Sequence, residues 1–289
     1  MIEKFGKIGF GTFGSDRYDP QAVSNAVYLA IKAGYRIFDC ASVYGNEKEV
    51  GEVFKQAFKE GLIKREEIFV VSKVWNDKHG EGEIIESCKK SIDDLGIGYL
   101  DLYLVHWPFP NSHLKGCSVD SRNPNSRPFI KEEFIKAWRE MEALVDRGLT
   151  KYIGMSNMTV PKLMAVLPSC RIKPYVHEME LHPAFQQIEL YNYCRKEGIK
   201  IMGYSPIGSP NRPERDKTIE DISDVEMPEI LSASANHGCS PASACIKWAA
   251  TKGHIPIPFA SKDVNIKNNF LAANGELLTE TEMTSIESA

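Results

Sequence analysis

Short apolar runs and longer amphipathic segments take turns along the chain. A run over 8–10 leads into Gly11-Thr12-Phe13-Gly14, and residues 20–33 carry helical periodicity up to Gly34. A second run over 35–39 breaks off into Cys40-Ala41-Ser42-Val43-Tyr44-Gly45, and a helix is predicted over 47–58 with Asn46 as its cap. The alternation continues with strand 68–72, helix 83–95, strand 101–106, helix 131–147, strand 152–155, helix 159–167, strand 175–179, helix 187–197 and strand 199–204. Helices near 227–236 and 241–251 precede a last strand at 254–258, and helices over 263–272 and 279–287 finish the pattern. Strands alternating with helices imply a parallel sheet. Eight such units without a linker or a break in composition predict one α/β domain over 1–289, a closed (β/α)8 TIM barrel. A doubly wound open sheet is the alternative. Gly9-Phe10-Gly11-Thr12-Phe13-Gly14 has Gly-x-Gly-x-x-Gly spacing, but no helix opens directly after it, as a dinucleotide-binding turn requires.

Two segments have no period. Residues 109–130 are polar and rich in Pro, Asn and Ser, and a loop of this length in a compact domain tends to be functional; residues 208–226 form a second long polar loop. Each follows a strand, so both are expected at the C-terminal face of the barrel.

The net charge of −4 and a pI near 6 argue against a nucleic-acid partner or a basic membrane surface. No apolar run reaches the roughly 18 residues of a spanning helix, and the first ten residues lack the apolar centre of a signal peptide. Seven cysteines, an odd number with no Cys-x-x-Cys pair, read as reduced thiols and predict a cytoplasmic protein. A monomer or weak dimer is expected. Cys40 reads as a small core residue.

The candidate chemistry lies where the early strands stop. Asp39 and Tyr44 follow the second run, Lys73 follows 68–72, and His106 closes 101–106. Catalytic residues of a closed barrel sit at the C-terminal ends of its strands, so these four are expected on one rim. A free tyrosine, with a pKa of about 10, is too weak an acid for neutral pH, and a neighbouring ammonium favours its phenolate. Alone, Tyr44 would read as packing and Asp39 with Lys73 as an ion pair; four in one register point to a proton-donating site.

Those residues stand in longer motifs. Gly9-Phe10-Gly11-Thr12, Phe38-Asp39-Cys40-Ala41-x-x-Tyr44-Gly45-Asn46-Glu47-x-x-Val50-Gly51, Ser72-Lys73-Val74-Trp75, Leu104-Val105-His106-Trp107-Pro108, Ile153-Gly154-Met155-Ser156-Asn157, Glu180-Leu181-His182-Pro183 and Tyr204-Ser205-Pro206-Ile207-Gly208 resemble the signatures of the aldo-keto reductase family, in order, from about residue 8 to 286. The likeness is strongest to its aldose-reductase and sugar-reductase branch. It implies a (β/α)8 barrel that uses a nicotinamide cofactor to reduce an aldehyde or ketone, such as a sugar or sugar phosphate. Asp39, Tyr44, Lys73 and His106 would be the catalytic tetrad, with Tyr44 the proton donor. Thr12, Ser156, Asn157, Glu178, Tyr204, Ser205, Ile207, Ser209, Ser261, Lys262, Asn265 and Asn269 would bind cofactor. Phe13, Val43, Trp75, His106, Trp107 and Phe109 would line the substrate pocket, and no metal is implied. Lys115, Arg122 and Arg127 read as solvated loop charges or as a draw for an anionic substrate.

The chain departs from the family pattern in three places. His177-Glu178 stands where relatives have Asn-Gln, and an ionised Glu178 accepts hydrogen bonds but donates none. Phe259 and Asn265 replace the Lys and Arg that clamp the 2′-phosphate of NADP, which removes charge-assisted bonds. The family default is NADP(H); this change makes NAD(H) about equally expected, with Lys262 a partial substitute. The sequence ends at Glu287-Ser288-Ala289, without the tail that closes the pocket in many relatives, so either a more open pocket or a truncated chain is expected. A cofactor-binding regulatory or scaffold barrel is the alternative function. A metal-dependent barrel hydrolase would need paired His and carboxylate ligands at strand ends, and only His106 and His182 come near.

Overall fold

The computed structural model describes residues 2–14, 17–110, 128–208 and 223–289. Its strands are β1 (Phe10–Gly11), β2 (Ile37–Asp39), β3 (Phe69–Val74), β4 (Leu100–Val105), β5 (Thr150–Ser156), β6 (Val176–Glu180), β7 (Lys200–Tyr204) and β8 (Ile255–Pro256). Between them run α1 (Pro20–Ala33), α2 (Glu47–Lys59), α3 (Glu83–Leu95), α4 (Lys131–Asp146), α5 (Val160–Val166), α6 (Ile188–Lys196), α7 (Pro228–Asn236) and α8 (Pro241–Lys252), and α9 (Asp263–Asn274) and α10 (Glu280–Glu287) follow the last strand. The strands pair in parallel and in chain order. The ring then closes: Gly9 N donates to Pro256 O at 2.9 Å and Gly11 N to Pro258 O at 3.0 Å. That closure excludes the open sheet. Closure also explains a glycine, since a Cβ on Gly11 would stand 2.9 Å from the carbonyl oxygen of Ile257.

The helix ends follow local chemistry. Asp19 caps α1 through the N–H of Ala22 at 2.7 Å, Pro20 opens the helix, and Gly34 ends it in a left-handed conformation at φ 109°. Ser240 with Pro241 starts α8 in the same way. Asn46 is a correction. It holds the cap position of α2 but makes no capping bond; its amide donates to Thr12 O at 2.8 Å and braces the first loop against the second.

Two apolar layers form. Between the strands and the helices lies the larger one, with Phe38, Phe54, Val70, Tyr103, Val105 and Trp138 among its fully buried members. The second fills the barrel interior with Ile37, Phe69, Val71, Leu102, Leu104, Val176, Met202, Ile255 and Ile257. Strand side chains alternate faces, so residues of one parity point inward. Ile2 joins the interior layer, and its N–H donates to the hydroxyl of Tyr175 at 2.9 Å. It closes the end of the barrel where Phe5 meets Phe69.

Candidate active site

The parity that buries the interior layer also builds the site. Two residues beyond Ile37 stands Asp39; beyond Val71, Lys73; beyond Leu104, His106; beyond Gly154, Ser156; beyond Val176, Glu178; beyond Met202, Tyr204. Each of these six strands turns its inner residues to the interior and then presents a polar one as the top layer of the same stack. Lys73 lies within β3 rather than after it, and this register is what points its stem into the barrel.

Lys73 is fully buried, and five oxygens surround its ammonium. Asp39 offers Oδ1 at 2.6 Å and Oδ2 at 2.7 Å, Cys40 its carbonyl at 3.1 Å, Tyr44 its phenolic oxygen at 3.2 Å and Glu178 its Oε1 at 3.4 Å. Burial works against the charge, but Asp39, Glu178 and Tyr44 together hold Lys73 well above the ordinary lysine pKa. Because Tyr44 accepts from the ammonium, its own proton is left for another acceptor. Burial nevertheless raises the Tyr44 hydroxyl above the ordinary tyrosine value, with Lys73 pulling the other way, so the expectation of a net lowering does not hold for the site as it stands. Burial and Lys73 push His106 far down, which keeps its imidazole neutral. The His106 ring meets Tyr44 edge-on at 5.9 Å and Trp75 at 5.0 Å, while Phe13 lies 5.1 Å from Tyr44 and is 44 % exposed.

A second group adjoins the first. Asn157, in the left-handed region at φ 57°, donates from Nδ2 to His106 O at 3.0 Å and to Ser156 Oγ at 3.1 Å. Its Oδ1 accepts from the Tyr204 hydroxyl at 2.8 Å, so one amide ties together the ends of β4, β5 and β7. Ser205 also has a positive φ, of 50°. Glu178 Oε2 is buried and meets no N–H or O–H donor among the described residues. A buried acceptor on β6, in register with Met202 and so one inward position below the half-buried Tyr204 of β7, fits a flat, amide-bearing ring such as nicotinamide. Thr12 is fully buried, and both its N–H (3.0 Å) and its hydroxyl (2.9 Å) donate to Asp39 O.

At the far end of this face, Phe259 packs on Tyr18 at 5.1 Å and on Phe10 at 5.9 Å, and Ser261 Oγ donates to the Tyr18 hydroxyl at 3.2 Å. Lys262 and Asn265 are exposed, and Asn269 is half-buried. Val43 and Ile207 are half-buried near their strand ends. Trp107 and Phe109 pair with each other at 6.0 Å. Ser209, Lys115, Arg122 and Arg127 lie outside the described residues, as do most of both long loops. A cleft of about 560 Å³ beside α3 and α4, lined by His79, Glu83, Lys136 and Glu140, shares no residue with the strand-end cluster.

The sequence pattern of the Aldo/keto reductase family matches residues 7–289. The chain belongs to the aldo-keto reductase family. It is 41% identical to aldose reductase C of Dictyostelium discoideum over 91% of this chain and 79% of that protein. It is 36% identical to the NADPH-dependent D-xylose reductase of Candida boidinii over 98% of this chain and 89% of that one. Among solved structures, the aldose reductase of Schistosoma japonicum superposes with a TM-score of 0.85 at 32% identity, covering 98% of this chain and 87% of the other. An aldo-keto reductase of Bombyx mori in complex with NADP gives 0.85 at 29% identity, covering 98% and 88%. This aldo-keto reductase is therefore an NAD(P)H-dependent oxidoreductase that acts on carbonyl groups, and these relatives lend no support to a barrel without turnover. No described helix is long and apolar enough to cross a membrane.

Two residues escape the motif reading. Glu178 was expected only beside the cofactor amide, yet it also faces Lys73; the inward parity of Val176 and Glu178 was the available signal. Tyr18 follows no strand, and its place against Phe259 and Ser261 is set by the fold of the first loop.

Proposed function

We propose that Tyr44 is the proton donor of this reductase, that Lys73 steadies the phenolate it becomes, and that Asp39 holds Lys73 in place. His106, neutral, donates one hydrogen bond that orients the substrate carbonyl. The observation that best supports this assignment is the single ammonium that touches both Asp39 and the oxygen of Tyr44. When bound, the nicotinamide supplies the hydride for the carbonyl carbon. The carbonyl oxygen takes its proton from Tyr44, whose oxygen then rests on the Lys73 ammonium. Ser156, Asn157, Glu178 and Tyr204 would hold the nicotinamide, and Ser205, Ile207 and Ser209 the pyrophosphate. Phe13, Trp75, Trp107 and Phe109 give the pocket aromatic walls. Similarity to aldose and xylose reductases supports aldehydes and aldoses as the substrate class. The test is NAD(P)H oxidation with a panel of aldehydes and aldoses. Turnover that survives Tyr44→Phe would refute the assignment.

At the adenine end an aromatic pair stands in place of cations. We infer that the enzyme discriminates weakly between NADPH and NADH, within about tenfold in affinity, because Phe259 and Asn265 stand where two cations would clamp a 2′-phosphate and the exposed Lys262 replaces them only in part. Fluorescence titration with both cofactors decides it, and a strong NADPH preference refutes it. Phe259→Lys with Asn265→Arg should then favour NADPH. The single closed sheet supports residues 1–289 acting as one domain, and the six described cysteines, all free thiols, accord with a reducing compartment.

A further inference from the structure

The cluster around Lys73 contains one carboxyl more than its ammonium can balance. The ammonium has three protons for five oxygens. Asp39 takes the two shortest contacts, at 2.6 and 2.7 Å, and Cys40 O and the Tyr44 oxygen follow at 3.1 and 3.2 Å. Glu178 is left with the longest, 3.4 Å through Oε1, and its carboxyl lies within hydrogen-bond reach of that of Asp39, a contact that needs a proton on one of the two acids. Both carboxyls are buried. Two carboxylates in one dry space cannot both ionise at little cost, so the group less well served by the cation keeps a proton. The geometry makes that group Glu178.

We propose that Glu178 is a titratable positioning residue of this reductase: as the neutral acid it does the work of an amide beside the nicotinamide, and as the carboxylate it turns the site toward the oxidised, positively charged cofactor and away from reduction. The proposal rests on the functional reading above, since it places the nicotinamide beside Glu178.

The protonated acid has an O–H donor and a C=O acceptor, the same pair a glutamine side chain offers to a carboxamide. Ionisation removes the donor and adds a full negative charge to the site. That charge attracts a pyridinium and has no such effect on the neutral dihydropyridine. It also shares the Lys73 ammonium more fully and raises the Tyr44 hydroxyl further, so Tyr44 gives up its proton less readily. Both effects oppose carbonyl reduction.

The charged and titratable groups that act on Glu178 are Asp39 from β2, Tyr44 from the turn after it and Lys73 from β3; His106 and Tyr204 stand at the ends of β4 and β7. Its neighbours in register, Ser156 on β5 and Met202 on β7, carry no charge. His177, beside it on β6, accepts from Met158 N and is pushed down to about 3 by burial. Lys73 and Tyr44 are held above their ordinary values and His106 far below its own, so none of them changes charge near neutral pH. Burial, followed by the nearby Asp39, raises Glu178 to about 8, while Lys73 pulls it down. Burial raises Asp39 as well, with Lys73 pulling it down, so the proton belongs to the pair, which holds one negative charge before this step and two after it. His182, further along the same segment, titrates at about 9: burial opposes its charge, and Asp224 and Glu180 hold it up. A Glu178→Gln variant keeps His182 and so removes its contribution from the comparison.

The test has two arms. In cofactor-free protein labelled with 13C-glutamate, infrared difference spectra of the unsubstituted enzyme follow carboxyl protonation with pH. A protonated glutamate that ionises near pH 8, absent from Glu178→Gln, is expected; a Glu178 already ionised at pH 6 overturns the proposal. In the second arm, tryptophan fluorescence measures the affinities of NADP+, NADPH, NAD+ and NADH from pH 6 to 9. The affinity for oxidised relative to reduced cofactor should rise about tenfold across the range, the effect of one unit of coupled pKa shift, and stay flat in Glu178→Gln. Reductive kcat should fall over the same range in the unsubstituted enzyme only. Cofactor binding with a flat ratio overturns this proposal and leaves the reductase assignment standing; no binding of any nicotinamide at any pH overturns both.

Discussion

Two buried charge clusters lie at opposite ends of adjacent strands, and they balance in opposite senses. Near the start of β4, the buried Asp101 carboxylate meets Arg65 at 2.8 Å, Lys151 at 2.9 Å and the backbone N–H of Val70 at 3.0 Å. That is one acid against two cations. Near the end of β3, the Lys73 ammonium meets Asp39 and Glu178, one cation against two acids. The difference lies in access to water. Arg65 and Lys151 are 15 and 48 % exposed, so their surplus positive charge is solvated and the cluster is a permanent brace. Neither Asp39 nor Glu178 reaches solvent, so the surplus negative charge there must be met by a bound proton. A cluster that can shed its excess to water holds structure; one that cannot must store a proton, and a proton store is what a reductase site needs.

Substitutions should separate the two clusters. Tyr44→Phe removes the donor and nothing of the ion pairing; turnover should drop about 10²- to 10⁴-fold while cofactor affinity, read by fluorescence, is kept. A smaller drop would mean that another group supplies the proton. Lys73→Met should abolish most turnover as well and cost about 3–5 kcal/mol in urea unfolding, because it strands the buried Asp39 carboxylate. At the other cluster, Asp101→Asn should cost about 1–3 kcal/mol, since an amide oxygen still accepts from Val70 but no longer draws the cations. Its kcat per folded molecule should not move, and if it does, the clusters are coupled and the contrast fails. Smallest of all, Lys151→Met should cost under about 1 kcal/mol, the usual worth of a half-exposed ion pair, and less at high salt.

Much of this was legible in the residues. The spans over 20–33 and 83–95 match α1 and α3, because Pro20 with Asp19, Gly34 and Gly96 mark the ends by local chemistry. That Asp39, Tyr44, Lys73 and His106 gather at one rim was legible through motifs, and so was the place of Asn157 and Tyr204 beside them. The length of β3 was not, since Lys73 and Val74 continue the strand on the strength of their pairing with Leu104 and Val105. Nor was the behaviour of Asn46. Its preference for a cap is local, and a carbonyl from the neighbouring loop outcompeted it.

The sequence by itself determined the alternation of strands and helices and, through period two, which residue tops each inward stack. Whether Lys73 meets Glu178 was decided only by the tertiary structure. They stand on β3 and β6, which do not pair; in an open sheet, three strand spacings would hold them about 14 Å apart. Closure of the ring between β8 and β1 folds that distance across the barrel interior. It thereby leaves one ammonium between two acids, a proximity that no local pattern encodes.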